Sequence, residues 1–444
     1  MPYMKDSAGK RLDSFKVADA DVLVRVRGRQ LAPVAERAAP SFATNLSDGT
    51  VKGGTARIRH TVTQTARGIV LAFSNTYNAA GYESNGPQDI TVSAGIEHAS
   101  GQVTPAFFNG QRQIVIKPGG TAFTDPIGVV LVKGATIFTR TFVSIVTAAT
   151  KYPQGGFIVL AANAESHNYA AGPGAELTTT GDAVPSGGTD NVRVFGPSAI
   201  LGMPTTPATV LAVVGDSIAA GAGDVGASGA DMGWIVRALA GNYAYQRVAL
   251  TGQVVDAWYA SEGALKWRQQ AMLDRIGPTH IICELGINSI SQGFATFAAR
   301  LVGNGYKGAW SLLATYGVPV YATTLTPKTT STDAWVTTGN QTVTADEAAR
   351  VSYNDWLRDG APITAAPISG GVLAAIGSTG TLRAGQAGHP LAGWLEVADL
   401  AETARNSGIW KAASTADGLH PNNAMHTTLS AALVPATLGL IAAT

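Results

Sequence analysis

The hydrophobic pattern of the chain changes near residue 205, and this change constrains the possible folds more than any other sequence feature. Val210–Val214 is a continuous apolar run, which is typical of a strand buried on both faces of a sheet. Short apolar runs at 246–250, 279–284 and 318–323 then alternate with stretches of helical spacing at 262–275, 294–316 and 345–358. This alternation predicts an α/β domain with a parallel sheet over residues 206–444. We expect its last helix over 424–440.

Residues 41–205 show a second pattern, in which short strands are separated by turn residues. Ile90–Ile96 alternates apolar with small or polar residues, as a half-buried strand does. Similar runs occur at 56–62, 69–74, 112–117, 128–132, 136–146 and 157–162. Their regular spacing predicts an all-β, jelly-roll-like sandwich at 41–205, with a long loop at 168–190. Residues 1–40 are mixed and charged, and we interpret them as an N-terminal extension.

Composition excludes several classes of function. Charged residues make up 14% of the 444 residues and the formal net charge is +1, which argues against a nucleic-acid partner. The single cysteine, Cys283, excludes an internal disulfide framework and any multi-cysteine metal site. No apolar stretch approaches the roughly 18 residues of a membrane span. The polar N-terminus predicts no secretory signal, and extracellular, virion-associated and cytoplasmic locations all stay open.

The first candidate for chemistry is Gly215-Asp216-Ser217-Ile218, which follows the first buried run of the α/β half. Active residues of parallel sheets gather at the carboxyl ends of the strands. A serine in this position can sit on a sharp turn at the start of a helix and face a substrate. The alternative is an ordinary strand-to-helix turn in which Ser217 caps the helix.

The second candidate is Asp417-Gly418-Leu419-His420-Pro421, shortly before the last predicted helix. A hydrolytic serine needs a base, and the base needs a partner that fixes its tautomer. Asp417 and His420 can supply both functions from one loop, although Asp417 could instead only cap the turn. His426 lies six residues further on, but no third ligand motif accompanies it. We therefore predict neither a metal nor a cofactor.

Two further motifs follow predicted strands. Gly286-Ile287-Asn288-Ser289 places an asparagine amide where it can donate to the oxyanion of a tetrahedral intermediate. In Leu250-Thr251-Gly252 the glycine lets a backbone N–H approach a substrate closely. Each motif taken alone could be an ordinary turn.

Taken together, and in this order, the four motifs resemble the conserved blocks of the SGNH (GDSL-like) hydrolases. The resemblance covers about residues 206–444 and implies a three-layer α/β/α domain. It implies that Ser217 is the nucleophile, that His420 is the general base and that Asp417 orients it. The implied oxyanion hole consists of the backbone N–H groups of Ser217 and Gly252 and the side chain of Asn288. Ser289 stands where the family often has aspartate, which puts the local hydrogen bonding in question.

A β-sandwich ahead of such a domain resembles the layout of several carbohydrate esterases. We therefore expect a serine esterase that removes O-acyl groups, first of all O-acetyl groups, from a carbohydrate. The alternatives are a broad short-chain esterase or lysophospholipase, and a glycan-binding virion or surface protein with an inactive hydrolase scaffold. Trp258, Trp335 and Trp410 are candidates for stacking on sugar rings or for packing between loop and sheet.

Overall fold

The computed structural model describes residues 31–38, 46–98, 101–155, 157–158, 163–181, 184, 193–206, 208–224, 231–259, 266–303 and 307–442. Most of the predicted N-terminal extension lies outside the described residues. Parts of the predicted strand 157–162 and of the predicted loop 168–190 lie outside them as well. Strands and helices are numbered below in chain order.

The first half of the described chain contains two larger antiparallel sheets. One has the order β1-β15-β3-β10 with β9 also paired to β3: β1 Ala32–Pro33, β3 Ala66–Ser74, β9 Thr121–Phe123, β10 Ile127–Leu131 and β15 Ala199–Pro204. The other has the order β13-β2-β11-β6-β7 with β8 also paired to β6: β2 Gly53–Thr61, β6 Ile90–Glu97, β7 Val103–Pro105, β8 Ile114–Ile116, β11 Thr136–Ser144 and β13 Ser166–His167. Smaller pairs are β4 Thr76–Ala79 with β5 Tyr82–Asn85, and β12 Phe157–Ile158 with β14 Arg193–Val194.

These strands follow the predicted apolar runs, because inward-facing residues of both sheets contribute to one apolar core. Ile69, Leu71 and Phe73 of β3 lie in this core with Ile90, Val92 and Ile96 of β6. The antiparallel character of residues 46–204 therefore agrees with the sequence pattern. The jelly-roll topology of a sandwich and the boundaries near residues 40 and 205 stay predictions.

The second half contains the expected parallel sheet. Its order is β17-β16-β18-β19-β22: β16 Val210–Gly215, β17 Ala244–Arg247, β18 His280–Glu284, β19 Val320–Thr323 and β22 Gly393–Leu395. A hairpin of β20 Thr329–Ser331 and β21 Gln341–Val343 follows β19. The chain runs outward from β16 in both directions, and the crevice at such a reversal is where open α/β sheets bind ligands.

Six helices lie between the parallel strands of the described chain: α1 Trp234–Leu239, α2 Asp256–Tyr259, α3 Lys266–Ile276, α4 Phe294–Val302, α5 Ala309–Ala314 and α6 Glu347–Arg358. Two more follow the last strand: α7 Ala398–Ala401 and α8 Asn423–Leu429. They form two contact groups, since α8 packs against α1 and α7 while α4 packs against α2, α5 and α6. Two such groups are what a helical layer on each side of the sheet would produce. Among the described residues, no helix is both long and apolar enough to cross a bilayer.

Two predicted helices are wrong in extent. The stretch 294–316 forms two helices rather than one, because Gly303 leaves the helical conformation with a φ of 74° and ends α4. The last helix ends at Leu429 instead of continuing to residue 440. Short 3-10 turns follow at Ser430–Ala432 and Pro435–Leu438. Val434 between them is extended, because a residue before proline disfavours the helical conformation.

The antiparallel and parallel halves pack directly against each other. Leu31 and Val70 of the antiparallel half belong to the same apolar core as β16 and β18. The Arg275 guanidinium of α3 lies 3.6 Å from the centroid of the Phe123 ring on β9. The antiparallel half is thereby positioned against the parallel sheet.

Candidate active site

Ser217 lies in the turn that follows β16, where that strand leaves the parallel sheet. The turn is tight, since a Cβ on Gly215 would come within 2.5 Å of the Cβ of Ala219 in the same turn. Asp216 Oδ1 accepts a hydrogen bond from the N–H of Ile218 at 3.0 Å, which fixes the turn from within. The residues that follow, up to Gly223, form successive turns, and the next helix among the described residues is α1 at Trp234. Ser217 therefore lies on a sharp turn, but no helix starts directly after it.

A second loop brings a histidine and a carboxylate to this serine. His420 Nε2 lies 2.8 Å from Ser217 Oγ, and His420 Nδ1 lies 2.6 Å from Asp417 Oδ2. The other carboxylate oxygen, Asp417 Oδ1, accepts the backbone N–H groups of Leu419 at 2.9 Å and of His420 at 2.8 Å. The sequence-predicted residues therefore form a continuous hydrogen-bonded chain from Asp417 to Ser217.

The direction of this chain follows from the charge of Asp417. Burial acts to raise the pKa of Asp417, but hydrogen bonds from the His420 ring and from the backbone outweigh it and hold the pKa below its usual range. Asp417 is therefore ionised at neutral pH and can only accept. This assigns the His420 proton to Nδ1 and leaves Nε2 free to accept the Ser217 hydroxyl.

The Thr251–Gly252 turn and the Asn288 loop lie next to each other beside β16. Leu250 N–H donates to the Gly215 carbonyl at 3.0 Å, which ties the turn to the strand that carries the serine. Asn288 Nδ2 donates to the Gln253 carbonyl at 3.2 Å. Gly252 takes a φ of 77°, a conformation that favours glycine. Both sequence-predicted hydrogen-bond donors thus belong to one connected pair of loops.

Ser289, the residue that differs from the aspartate frequent in SGNH hydrolases, has a defined structural role. Its side chain is fully buried, and its Oγ accepts the backbone N–H of Val255 at 2.9 Å. The serine thereby links the Asn288 loop to the residues that follow Gly252. A hydroxyl at this position is sufficient to join the two loops.

Sequence patterns did not predict a pair of buried carboxyl groups, Asp216 and Glu284, beside the turn of Ser217. Burial raises the pKa of Asp216 to about 7, and burial together with the charge of Asp216 raises the pKa of Glu284 well above its ordinary value. Trp234 Nε1 donates to Glu284 Oε1 at 3.1 Å. The raised pKa favours the protonated form of Glu284, which lies buried as a hydrogen-bonding group. The only sequence signal is an acidic residue directly after the apolar run 281–283.

Most of the remaining aromatic and histidine candidates are interior residues. Trp258 and Trp410 are fully buried, so the packing interpretation holds for both of them. His426 is buried with Nδ1 accepting the Trp234 backbone N–H at 3.2 Å and Nε2 bonded to a backbone carbonyl at 3.0 Å. Trp335 is partly exposed, and its ring packs beside Gly418 in the loop of His420. Of the three tryptophans, Trp335 is therefore the one that a ligand can reach.

The antiparallel half also reaches this site, which the sequence analysis did not predict. The β4–β5 hairpin places Asn78 and Gly81 against the Thr251–Gly252 turn. Tyr82, the residue after Gly81, has 37% of its surface exposed. A sequence separation of 173 residues between Asn78 and Thr251 leaves no local pattern by which to detect this contact.

No protein-family profile and no curated protein sequence matches the chain. Solved structures similar to it include a family two carbohydrate esterase from Clostridium thermocellum in complex with cellohexaose, at 12% identity and a TM-score of 0.32, covering 92% of this chain and 99% of that one. A family two carbohydrate esterase from Cellvibrio japonicus is 12% identical, with a TM-score of 0.33 and coverage of 91% and 94%. An acetyl-xylooligosaccharide esterase from Geobacillus is 15% identical, with a TM-score of 0.31 and coverage of 52% and 94%. These TM-scores lie below 0.5, so the activity proposed next rests on the geometry of this chain.

Proposed function

We propose that the protein is a serine ester hydrolase of the SGNH type, with Ser217 as nucleophile. The observation that carries the proposal is the chain of two hydrogen bonds, 2.6 and 2.8 Å long, from Asp417 through His420 to Ser217 Oγ. A base that contacts the nucleophile and is itself oriented by a carboxylate is the arrangement that serine hydrolysis requires. The adjoining Gly252 and Asn288 loops supply hydrogen-bond donors on the same edge of the sheet.

In the acylation step, Ser217 Oγ forms a bond to the ester carbonyl carbon while its proton moves to His420 Nε2. The carbonyl electrons move to oxygen, and the oxyanion accepts hydrogen bonds from the N–H groups of Ser217 and Gly252 and from Asn288 Nδ2. Asp417 stabilises the imidazolium that has formed. When the carbon–oxygen bond to the leaving group breaks, His420 gives its proton to the departing alcohol, and an acyl-enzyme remains.

The second step repeats the first with water as the nucleophile. His420 Nε2 takes a proton from water as its oxygen bonds to the acyl carbon, and the same donors hold the second oxyanion. The bond to Ser217 Oγ then breaks, and His420 returns the proton to the serine. The products are the free acid and the resting enzyme, and no cofactor takes part.

The substrate that we propose first is an O-acetyl group on a carbohydrate. Ser217 is only 2% exposed, which favours a small acyl group over a long chain at the nucleophile. Tyr82, which directly follows Gly81, is exposed, and the partly exposed Trp335 ring packs beside Gly418 in the loop of His420. Aromatic faces of this kind pack well against sugar rings.

The competing proposals are a broad short-chain esterase or lysophospholipase and an inactive scaffold that binds glycan. The first experiment compares hydrolysis of p-nitrophenyl acetate with that of the octanoate ester, for the wild-type protein and for Ser217→Ala. Ser198→Ala is the matched control, because Ser198 is also a buried serine close behind a glycine but lies in the antiparallel half. Labelling of Ser217 by a fluorophosphonate, read by mass spectrometry, reports the nucleophile without any substrate preference.

We expect acetate turnover that Ser198→Ala retains and Ser217→Ala abolishes, and slower turnover of octanoate. Equal turnover of both esters would favour the broad esterase. Turnover that survives in Ser217→Ala would remove Ser217 from the mechanism. If the protein hydrolyses neither ester, releases no acetate from acetylated xylan and takes up no label at Ser217, the scaffold proposal replaces the esterase proposal.

A further inference from the structure

The β4–β5 hairpin of the antiparallel half meets the parallel half at the Thr251–Gly252 turn. We propose that this hairpin is a structural part of the active site, and that Asn78 is a positioning residue that aims the Gly252 N–H at the oxyanion. The inference rests on the proposed esterase function and assigns a role to a part of the chain that carries none of the catalytic motifs.

The Asn78 amide bridges the two turns with both of its polar atoms. Its Nδ2 donates to the Thr251 carbonyl at 2.6 Å, and its Oδ1 accepts the Gly81 N–H at 2.9 Å. The side chain is completely buried, so water does not compete for these bonds. The same group therefore closes its own hairpin and holds the neighbouring turn.

The bond to Thr251 matters because the Thr251 carbonyl and the Gly252 N–H belong to one peptide group. In a planar trans peptide the C=O and the N–H point in opposite directions. Fixing the Thr251 oxygen toward Asn78 therefore directs the Gly252 N–H away from the hairpin. Without this hydrogen bond the peptide group can rotate, because glycine at φ 77° is conformationally free, and the Gly252 N–H then no longer points at the oxyanion.

Gly81 shows how closely the two turns approach. Its φ is 88°, and an added Cβ would overlap the Gly252 carbonyl oxygen and come within 2.7 Å of the carbonyl carbon. Backbone packs directly on backbone at this point, so no side chain can yield. The hairpin thus forms a wall, in direct backbone contact, on one side of the Gly252 peptide.

The hairpin is itself anchored in the antiparallel half, which makes the wall rigid. Asn75, just before β4, is buried, and its Nδ2 donates to the carbonyls of Gln88 and Ile116 at 2.8 Å each. Its own backbone carbonyl accepts the Gly86 N–H at 2.9 Å, just after β5. Both ends of the hairpin are therefore tied to one residue of the antiparallel half. Through Asn75 and the hairpin, the antiparallel half of the chain determines the geometry of the Thr251–Gly252 turn.

The test uses the full-length protein with Asn78→Asp, which keeps an acceptor for the Gly81 N–H and replaces the donor to Thr251 with a carboxylate oxygen. We expect kcat for p-nitrophenyl acetate to fall about 10- to 100-fold with KM changed less than twofold, since loss of a complete oxyanion donor costs about 10²–10³-fold. Gly81→Ala should have a similar effect. Gly134→Ala is its matched control, because Gly134 has a φ of 81° in the same half of the chain but no atom within 4 Å of an added Cβ.

A second readout separates positioning from a general loss of stability. In p-nitrophenyl thionoacetate, sulfur replaces the carbonyl oxygen and accepts hydrogen bonds weakly. The ratio of the kcat values for the oxygen ester and the thionoester should therefore fall in Asn78→Asp and stay at the wild-type value in Gly134→Ala. A destabilised but correctly aligned enzyme would lose both activities in proportion.

The outcomes distinguish this inference from the proposed function. If the wild-type protein hydrolyses the ester, and Asn78→Asp retains kcat within twofold or keeps the wild-type ester-to-thionoester ratio, the role of Asn78 is refuted and the esterase proposal stands. If the wild-type protein shows no turnover and no fluorophosphonate label at Ser217, both fall together.

Discussion

Replacement of Asp417 by asparagine tests the direction of the proposed catalytic hydrogen bonds. Asp417 Oδ1 accepts two backbone N–H groups, so the asparagine carbonyl oxygen must occupy that position. Its NH₂ group then replaces Oδ2 and faces His420 Nδ1, at the site of the present 2.6 Å contact. A donor in this place forces the proton of His420 onto Nε2. That nitrogen then cannot accept the proton of Ser217.

The size of the effect follows from the exposure of the pair. In a buried triad the same change lowers kcat about 10⁴-fold, because the wrong tautomer is held firmly. Here 53% of the Asp417 side chain is exposed, so water can compete with the asparagine and restore the productive tautomer for part of the time. We therefore expect a loss of about 10²–10³-fold in kcat, or about 3–4 kcal/mol in the activation free energy.

The assay is the pre-steady-state acylation rate with p-nitrophenyl acetate at pH 7.5, with thermal unfolding as the check on folding. Asp48→Asn is the matched control, because Asp48 Oδ1 accepts the N–H groups two and three residues on, as Asp417 Oδ1 does, but in a turn of the antiparallel half. A rate for Asp417→Asn within threefold of the wild type would refute the tautomer argument. So would an equal loss of rate in Asp48→Asn.

Three further predictions concern other parts of the molecule. Asn288→Ala should lower kcat about 10²–10³-fold with little change in KM, measured on the same ester, because one oxyanion donor is removed. Burial next to Asp231 raises the pKa of Glu36 to about 7, so the native state holds a proton that the unfolded state loses above its lower pKa. The Glu36 carboxyl should therefore contribute a loss of about 3 kcal/mol in stability as the pH rises from about 4.5 to 7. The decrease measured by urea unfolding between pH 5 and 8 should accordingly be about 2–3 kcal/mol smaller in Glu36→Gln than in the wild type. Asn422→Ala should lower the free energy of unfolding by about 1 kcal/mol in the same assay, since its side chain caps α8 by accepting the Met425 N–H at 3.0 Å.

Hydrophobic periodicity predicted the positions of the helices better than their ends. The periodicity at 294–316 and 424–440 predicts continuous helices, but Gly303 and Pro435 divide these segments. Both residues disfavour a continuous helix, but the hydrophobic spacing on either side of them is helical and predicts one. No helix starts directly after Ser217, because hydrogen bonds within residues 216–222 close successive turns there.

The sequence by itself determined which residues meet at the candidate site from the parallel half. Ser217, Gly252 and Asn288 each follow a parallel strand, and the carboxyl ends of such strands converge on one edge of the sheet. Asp417 and His420 lie three residues apart, so a single turn is enough to pair them. Local spacing and strand direction are properties that a sequence pattern records directly.

Only the tertiary structure decided what surrounds these residues. The raised pKa of Glu284 depends on its burial beside Asp216, which no single residue type specifies. The contact of Asn78 with Thr251 depends on how the antiparallel half packs against the parallel half, across 173 residues of chain. Contacts of this kind come from the packing of whole elements against each other. Local patterns cannot predict them, because the residues around one partner in the chain do not depend on the identity of the other partner.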